Sequence, residues 1–147
     1  RGLGRAIHIR LEAQEGAGRP PDLRRAPEVI HGLGNLVENA VGFAATEVEV
    51  IARWTPVELE ITIRDDGPGF PPHLLARLGE PYISERGADS RGGGMGLGFF
   101  IAKTLLEKTS ARLVVQNRAA PRSGAVVRAT WARAAVEAPV PRVDAAP

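Results

Sequence analysis

Asn35, Asn39 and Phe43 recur at i, i+4 and i+8 within residues 31–44, HGLGNLVENAVGFA. On a helix that spacing stacks the three side chains along one side, each about 6 Å from the next. An amide oxygen is a hard, neutral ligand suited to a magnesium ion that also holds phosphate oxygens, and a ring one turn further on can stack against a base. The same stretch also reads as a surface helix with two solvated amides. Two further groups bear on the choice. Asp65-Asp66-Gly67-Pro68-Gly69-Phe70 follows directly on an alternating run and sets an acidic side chain at a strand's end, where binding residues often sit. Gly92-Gly93-Gly94-Met95-Gly96-Leu97-Gly98 opens the helical pattern FFIAKTLLEK, and such a turn offers free N–H groups and a positive dipole end to an anion. A flexible linker before a helix is the plainer reading of that run. The common phosphate loops are excluded, because the chain has no Gly-Lys pair and no window fits G-x-G-x-x-G.

The elements that must position these residues are legible in the periodicity. Residues 6–12 alternate and predict a strand with Ile7, Ile9 and Leu11 on a core face and His8 outward. Residues 13–21 are rich in Gly and Pro and read as a loop, after which Asp22 is placed to cap a helical turn. Pro27 suits a helix's first turn, and a helix is expected from there to Ala44, with Ile30, Leu33, Val37, Ala40, Val41 and Ala44 toward the core. Residues 47–54 and 57–64 form an antiparallel hairpin across Thr55-Pro56, with Val48, Val50 and Ala52 matched by Leu59, Ile61 and Ile63. From 71 to 91 a long loop is expected, with a short helical stretch at 74–78. Strands follow at 111–116 and 125–131, and the Ala/Pro/Val-rich segment beyond Arg133 reads as a disordered tail or linker. The expected organisation is therefore one domain over 1–133 and a tail over 134–147.

A chain of 147 residues with 44% apolar content can bury an ordinary core. The net charge is only +2, the calculated pI is 9.7 and the arginines are scattered, so a nucleic-acid surface is not expected. With no cysteine, disulfides, thiolate zinc sites and a thiol switch are excluded within this chain. No apolar run approaches the roughly 20 residues that span a bilayer. A start at Arg1 rather than Met suggests a piece of something longer, cytoplasmic, whose parent could be anchored in the inner membrane.

Taken together, the ordered motifs resemble the nucleotide-binding domain of sensor histidine kinases, within the wider superfamily that includes gyrase, Hsp90 and MutL. Asn35-Leu36-Val37-Glu38-Asn39-Ala40 matches the N box, Asp65-Asp66-Gly67-Pro68-Gly69 the G1 box and Gly94-Met95-Gly96-Leu97-Gly98 the G2 box. Glu80-Pro81-Tyr82 looks like the F box of the lid. The resemblance covers about residues 4 to 132, and its wording looks most like the redox-responsive RegB/PrrB type from proteobacteria. It implies an α+β fold: a two-layer sandwich with a mixed, mostly antiparallel sheet against about three helices, the Bergerat fold.

Carried over residue by residue, the family implies that Asn39 binds Mg2+ through its side-chain oxygen, with Asn35 beside it near the phosphates. Phe43 would lie against the adenine, and Asp65 would accept a hydrogen bond from the adenine amino group. Guanine carries a carbonyl there, which would set two acceptors face to face. Gly67 and Gly69 would let the backbone approach the base. Gly94, Gly96 and Gly98 would let the lid, with Tyr82 and Arg86, fold over the phosphates, with Leu97 anchoring the following helix. Two departures stand out. Many members carry Lys or Arg three residues after the magnesium-binding Asn, where this chain has Gly42; Arg86 or Arg91 is the substitute the lid offers. The hydrolysing relatives place a Glu base four residues before that Asn, where this chain has Asn35, while Glu38 points about 100° away around the helix. Transfer to a protein is thus favoured over hydrolysis. The remaining alternatives are an ATP-hydrolysing conformational machine and a degenerate interaction module.

None of His8, His31 or His73 sits in a phosphoacceptor context. The accepting His, on a dimerising helical hairpin, is expected outside this chain. The implied partners are ATP, that dimerisation and phosphoacceptor domain, and a response regulator, with this piece monomeric and the parent a homodimer.

Overall fold

The computed structural model describes residues 6–14, 18–75 and 93–138. In chain order its elements are β1 (Ala6–Ala13), α1 (Pro27–Phe43), β2 (Glu47–Trp54), β3 (Glu58–Asp65), α2 (Pro72–Leu75), α3 (Gly93–Glu107), β4 (Arg112–Asn117), β5 (Ala125–Ala132) and α4 (Arg133–Val136). The strands form one sheet in the order β1-β2-β3-β5-β4. β1 runs parallel to β2 through the α1 crossover, and every other neighbouring pair is antiparallel. The α+β two-layer sandwich with a mixed, mostly antiparallel sheet is the architecture expected from the sequence.

Alternation sorts the sheet into two faces. Val48, Leu59, Ile63, Val127, Ala129 and Trp131 point to the helices and are buried, with Phe99, Ala102 and Leu106 of α3 packed on them at i, i+3 and i+7. Fully burying a side chain as large as Phe99 or Leu106 contributes about 1.5–3 kcal/mol. Trp131 turns its Nε1–H to the Thr109 hydroxyl at 2.9 Å, so its one polar atom is satisfied inside. The two long helices cross closely at Gly32, where a Cβ would lie 2.6 Å from Leu106 Cγ, and they run past each other so that Gly98 lies beside Asn39.

The hairpin forms with the expected faces, but its register is displaced by two residues from the matching expected: Val48 pairs with Asp65, Val50 with Ile63, Ala52 with Ile61 and Trp54 with Leu59. α1 starts at Pro27 as expected, and its N-cap, Ala26, makes no side-chain cap bond. Asp22, expected to cap a helical turn, caps none; its backbone carbonyl accepts the Ala138 N–H at 2.5 Å, beside the bridge between Leu23 and Glu137.

Three expectations need correction. Ile7, Ile9 and Leu11 do lie on the helix-facing side of the sheet, yet they are 49%, 70% and 65% exposed. β1 is an edge strand, and two helices packed about 10 Å apart cover fewer strands than the five present, with α1 over β2 and β3 and α3 over β4. On α1, Ile30 is exposed and the deepest side chain is Leu36, so the buried stripe is rotated from the one expected. The glycine run is not a turn before a helix, because α3 already begins at Gly93 and takes Gly94, Gly96, Leu97 and Gly98 into its first turns.

At the C-terminal end, the boundary expected at 133 falls at the start of α4, whose Val136 is buried and whose neighbours pair with residues 22–24. Residues 139–147 lie outside the described residues, as does most of the expected loop at 71–91, of which α2 shows one turn.

Candidate functional site

The site is built where α1 ends over the C-terminal end of β3. One pocket is lined by Asn39 and Phe43 of α1, by Asp65 and Gly69 of the turn after β3, and by Phe70 and Val127 beneath. The i, i+4 spacing puts Asn39 and Phe43 on the same side of α1, and Leu36 and Ala40 close its wall.

Asp65 is 4% exposed, and its Oδ1 accepts the N–H of Gly67 at 2.8 Å and of Ala125 at 3.2 Å. Among the described residues nothing donates to its Oδ2. Burial pushes its carboxyl above the usual range, while the two N–H groups pull the other way. The carboxylate is thus fixed by one oxygen and offers the second to a ligand that donates.

Asp66, next in sequence, does unrelated work. Its Oδ1 takes the N–H groups of Ala45 at 2.8 Å, Thr46 at 2.9 Å and Glu47 at 3.2 Å, and its Oδ2 takes the Thr46 hydroxyl. It therefore ties the corner after α1 to the turn that carries Asp65. Burial opposes its ionisation, but the hydroxyl and the three N–H groups prevail and hold its pKa at about 2.

The two glycines of the turn are required by what they touch. A Cβ on Gly67 would strike the Phe43 carbonyl, so the turn abuts the end of α1 directly. Gly69 has φ +83° and lies against the Asn117 amide, where a Cβ would come within 2.9 Å of Oδ1. Asn117 reaches from the end of β4 and clasps Phe70 on both backbone atoms, accepting from its N–H and donating to its carbonyl, each at 2.8 Å. Arg118 Nη1 donates to the Asp65 carbonyl at 3.2 Å, and the Ser123 hydroxyl donates to the Gly67 carbonyl at 2.9 Å. Sequence reasoning missed these three supports. An Asn at a strand end before a Pro- and Gly-containing loop is their only trace in the sequence.

Of the expected site residues, Asn39, Phe43, Asp65 and Gly69 meet in the pocket, Gly67 touches Phe43, and Gly98 faces Asn39 with a Cβ-to-Oδ1 separation of 3.8 Å. Asn35 is half-buried one turn back along α1 and does not line the pocket. Gly94, Gly96 and Leu97 belong to the first turns of α3, while Tyr82, Arg86 and Arg91 lie outside the described residues. Gly42 faces open space, with nothing within 4 Å of a Cβ built there.

A cleft between α1 and the strand-end turn, walled by an amide, a ring and a half-satisfied carboxylate, with Gly98 of α3 beside Asn39, thus gathers residues of the three ordered motifs at one place in an α+β sandwich. Residues 25–135 match the family model of histidine kinase-, DNA gyrase B- and HSP90-like ATPases, and the chain belongs to that family. More narrowly, it is similar to the sensor histidine kinase RegB of Cereibacter sphaeroides, at 42% identity over 88% of this chain and 32% of that protein. The histidine protein kinase DivJ of Caulobacter vibrioides is 36% identical over 57% of this chain and 14% of its own. The chain thus spans about a third or less of these relatives. Among solved structures, full-length ShkA in complex with AMPPNP aligns with TM-score 0.65 at 21% identity, over 92% of this chain and 27% of that one. The mycobacterial sensor histidine kinase MprB aligns with TM-score 0.62 at 23% identity, over 86% and 83%. At that identity these two show the shared fold.

Proposed function

We propose that this chain binds Mg-ATP and presents the γ-phosphoryl group to a His on a dimerisation and phosphoacceptor domain outside the chain, in two-component signalling. The observation that carries the reading is the convergence of Asn39, Phe43 and Asp65 in one pocket with Gly98 beside Asn39. The free Oδ2 of Asp65 accepts the adenine amino group, and Phe43 packs on the base. Gly67 and Gly69 let the turn approach the ring without a side chain between. The N-terminal N–H groups of α3 and its dipole favour the triphosphate.

Among the described residues no three His, Asp or Glu side chains cluster to hold a metal. A single amide oxygen on Asn39, half-buried and near the start of α3, suits magnesium, which keeps most of its shell as water and phosphate oxygens. When bound, the ion neutralises charge on the phosphates. Asn35, one turn back, sits where it can bond an outer phosphate oxygen or a shell water.

Among the described residues of α1 none is placed to activate water, since Glu38 is exposed on another side of the helix and position 35 is an amide. That favours an acceptor that needs no base before it attacks, such as a neutral imidazole nitrogen. The unprotonated imidazole nitrogen forms the P–N bond as the bridging P–O bond breaks and ADP leaves, the ring then releases the proton of its other nitrogen to solvent, and the domain contributes mainly position and charge neutralisation. An Asp of a response regulator then takes the group.

Calorimetric titration with a non-hydrolysable ATP analogue tests this. Saturable binding should tighten at least about tenfold with magnesium in the wild type, and Asn39→Ala should lose that gain while keeping magnesium-free affinity. No heat up to millimolar analogue would refute the reading and leave an interaction module.

A further inference from the structure

The solvent-facing side of the sheet carries a second charged constellation that the cleft does not use. Alternation places Glu49, Glu60, Thr62, Arg64 and Arg128 there. Glu49 and Glu60 are committed there: Glu49 pairs with Arg64 and, at 2.9 Å, with Arg10, while Glu60 pairs with Arg128 at 3.3 Å and Arg53 at 3.9 Å. The loop between β4 and β5 then adds two arginines, Arg118 and Arg122. Among the described residues neither has a carboxylate within ion-pair distance.

Arg64, Arg118, Arg122 and Arg128 rim one recess of about 400 Å³, with Thr62, Gln116 and Val126 also lining it. Arg118 is held in place at both ends. Its N–H bonds the Gly124 carbonyl at 2.9 Å, and its Nη1 bonds the Asp65 carbonyl at 3.2 Å. The loop is folded on itself as well, with the Arg122 N–H on the Ala119 carbonyl at 3.1 Å. Scattered surface arginines extend into water and avoid each other. Here four guanidinium groups share a concavity in which the charge of only two carboxylates opposes them.

We propose that this recess is a binding site for a multivalent oxyanion, a small molecule bearing two or more phosphate or carboxylate groups. Guanidinium forks match the geometry of such groups, and a partly fixed fork loses less freedom on binding than a free one. The volume lies in the range of small-molecule sites and exceeds what one phosphate fills. The recess is on the opposite side of the sheet from the nucleotide cleft, so the assignment stands or falls independently of the function proposed above.

The test is an amide NMR titration of the 147-residue chain with inorganic pyrophosphate at low ionic strength, without magnesium or nucleotide. Saturable shifts are expected at Arg64, at Arg128 and across residues 116–124, weakening as salt is raised. Arg118→Gln combined with Arg122→Gln should weaken this binding at least about tenfold. Arg122→Gln alone, a side chain with no hydrogen bond among the described residues, should weaken it about threefold with the spectrum otherwise intact. Shifts confined to Asn39 and residues 98–99 would overturn the proposal, because pyrophosphate would then be using the nucleotide cleft. So would saturable shifts that survive both substitutions, or none up to 10 mM. A hexaglutamate peptide that moves the same amides while pyrophosphate does not would also overturn it, and would replace the small anion with an acidic protein face.

Discussion

Asp65→Asn separates recognition from folding. In the structure Oδ1 of Asp65 is occupied by the N–H groups of Gly67 and Ala125, at 2.8 and 3.2 Å. An asparagine can satisfy both only by placing its oxygen there, which forces its NH2 into the position of Oδ2. That group would meet the adenine amino group donor to donor. The variant loses a charge-assisted hydrogen bond, about 1.5–3 kcal/mol, and adds an unpaired donor, about 1–3 kcal/mol, so affinity should fall at least about 100-fold. The amide would suit a guanine carbonyl, so relative binding should move toward guanosine nucleotides. Stability should move the other way. Burial raises the folded carboxyl's pKa above its ordinary value, so the stability it contributes is present below the unfolded pKa of 3.8 and lost as pH rises through the folded one. At neutral pH the buried charge is a net cost, and its removal should leave the melting temperature unchanged or raised. Calorimetry with the ATP analogue and thermal unfolding on one preparation read both effects. Binding within tenfold of wild type would refute the assigned contact, and a melting point lower by several degrees would refute the view that Asn preserves the two backbone bonds.

Gly42→Arg should be gained rather than lost ground. Its Cβ meets nothing within 4 Å, so the side chain is accommodated, and replacing a helical Gly with a cation near the C-terminal end of α1 should add up to about 1 kcal/mol of stability. Affinity for the triphosphate analogue should rise several-fold while AMP binding stays level, and an equal rise for both would show that the new charge does not reach the phosphates. Asp66→Asn addresses acid stability. The folded pKa is lowered to about 2, so Asp66 stabilises fully above 3.8 and loses that effect as pH falls through about 2. After allowance for solvent screening the variant should lose about 1 kcal/mol at pH 7 and show a flatter denaturation profile between about pH 4 and 2. An unchanged acid limb would place the acid sensitivity elsewhere.

Periodicity and turn chemistry exposed most of the architecture. The 3.6-residue repeat located α1 to within a residue, and the alternation around Thr55-Pro56 gave the faces of the hairpin but not its register, because a displacement by two residues leaves every side chain on the same face. Neither signal says how far the helical layer extends. β1 alternates as cleanly as a buried strand, yet Ile9 is open to solvent because coverage is a property of the assembled layers. Leu36 and Ile30 were exchanged for the same reason, since a helix with apolar residues on much of its circumference does not reveal which side the sheet takes. The glycine run looked like a turn because glycine is a poor helix former, and here packing outweighs propensity. Asp65 and Asn39 were legible from their motifs. Asn117 was not, because it acts on Phe70 across 47 residues of sequence and through backbone atoms that leave no pattern.

The close passage at Gly32 has a mechanical consequence. Where α1 lacks a side chain at Gly32, the Leu106 side chain of α3 fills the space and seats one helix on the other at a single point. Asn39 lies seven residues from Gly32, about 10 Å along the axis. A swing of 10° about that fulcrum therefore moves the Gly98 end of α3 by about 2 Å relative to Asn39. A methyl group at position 32 would strike Leu106 and act as a wedge between the helices, so its effect would be felt, magnified, at Asn39 and Gly98.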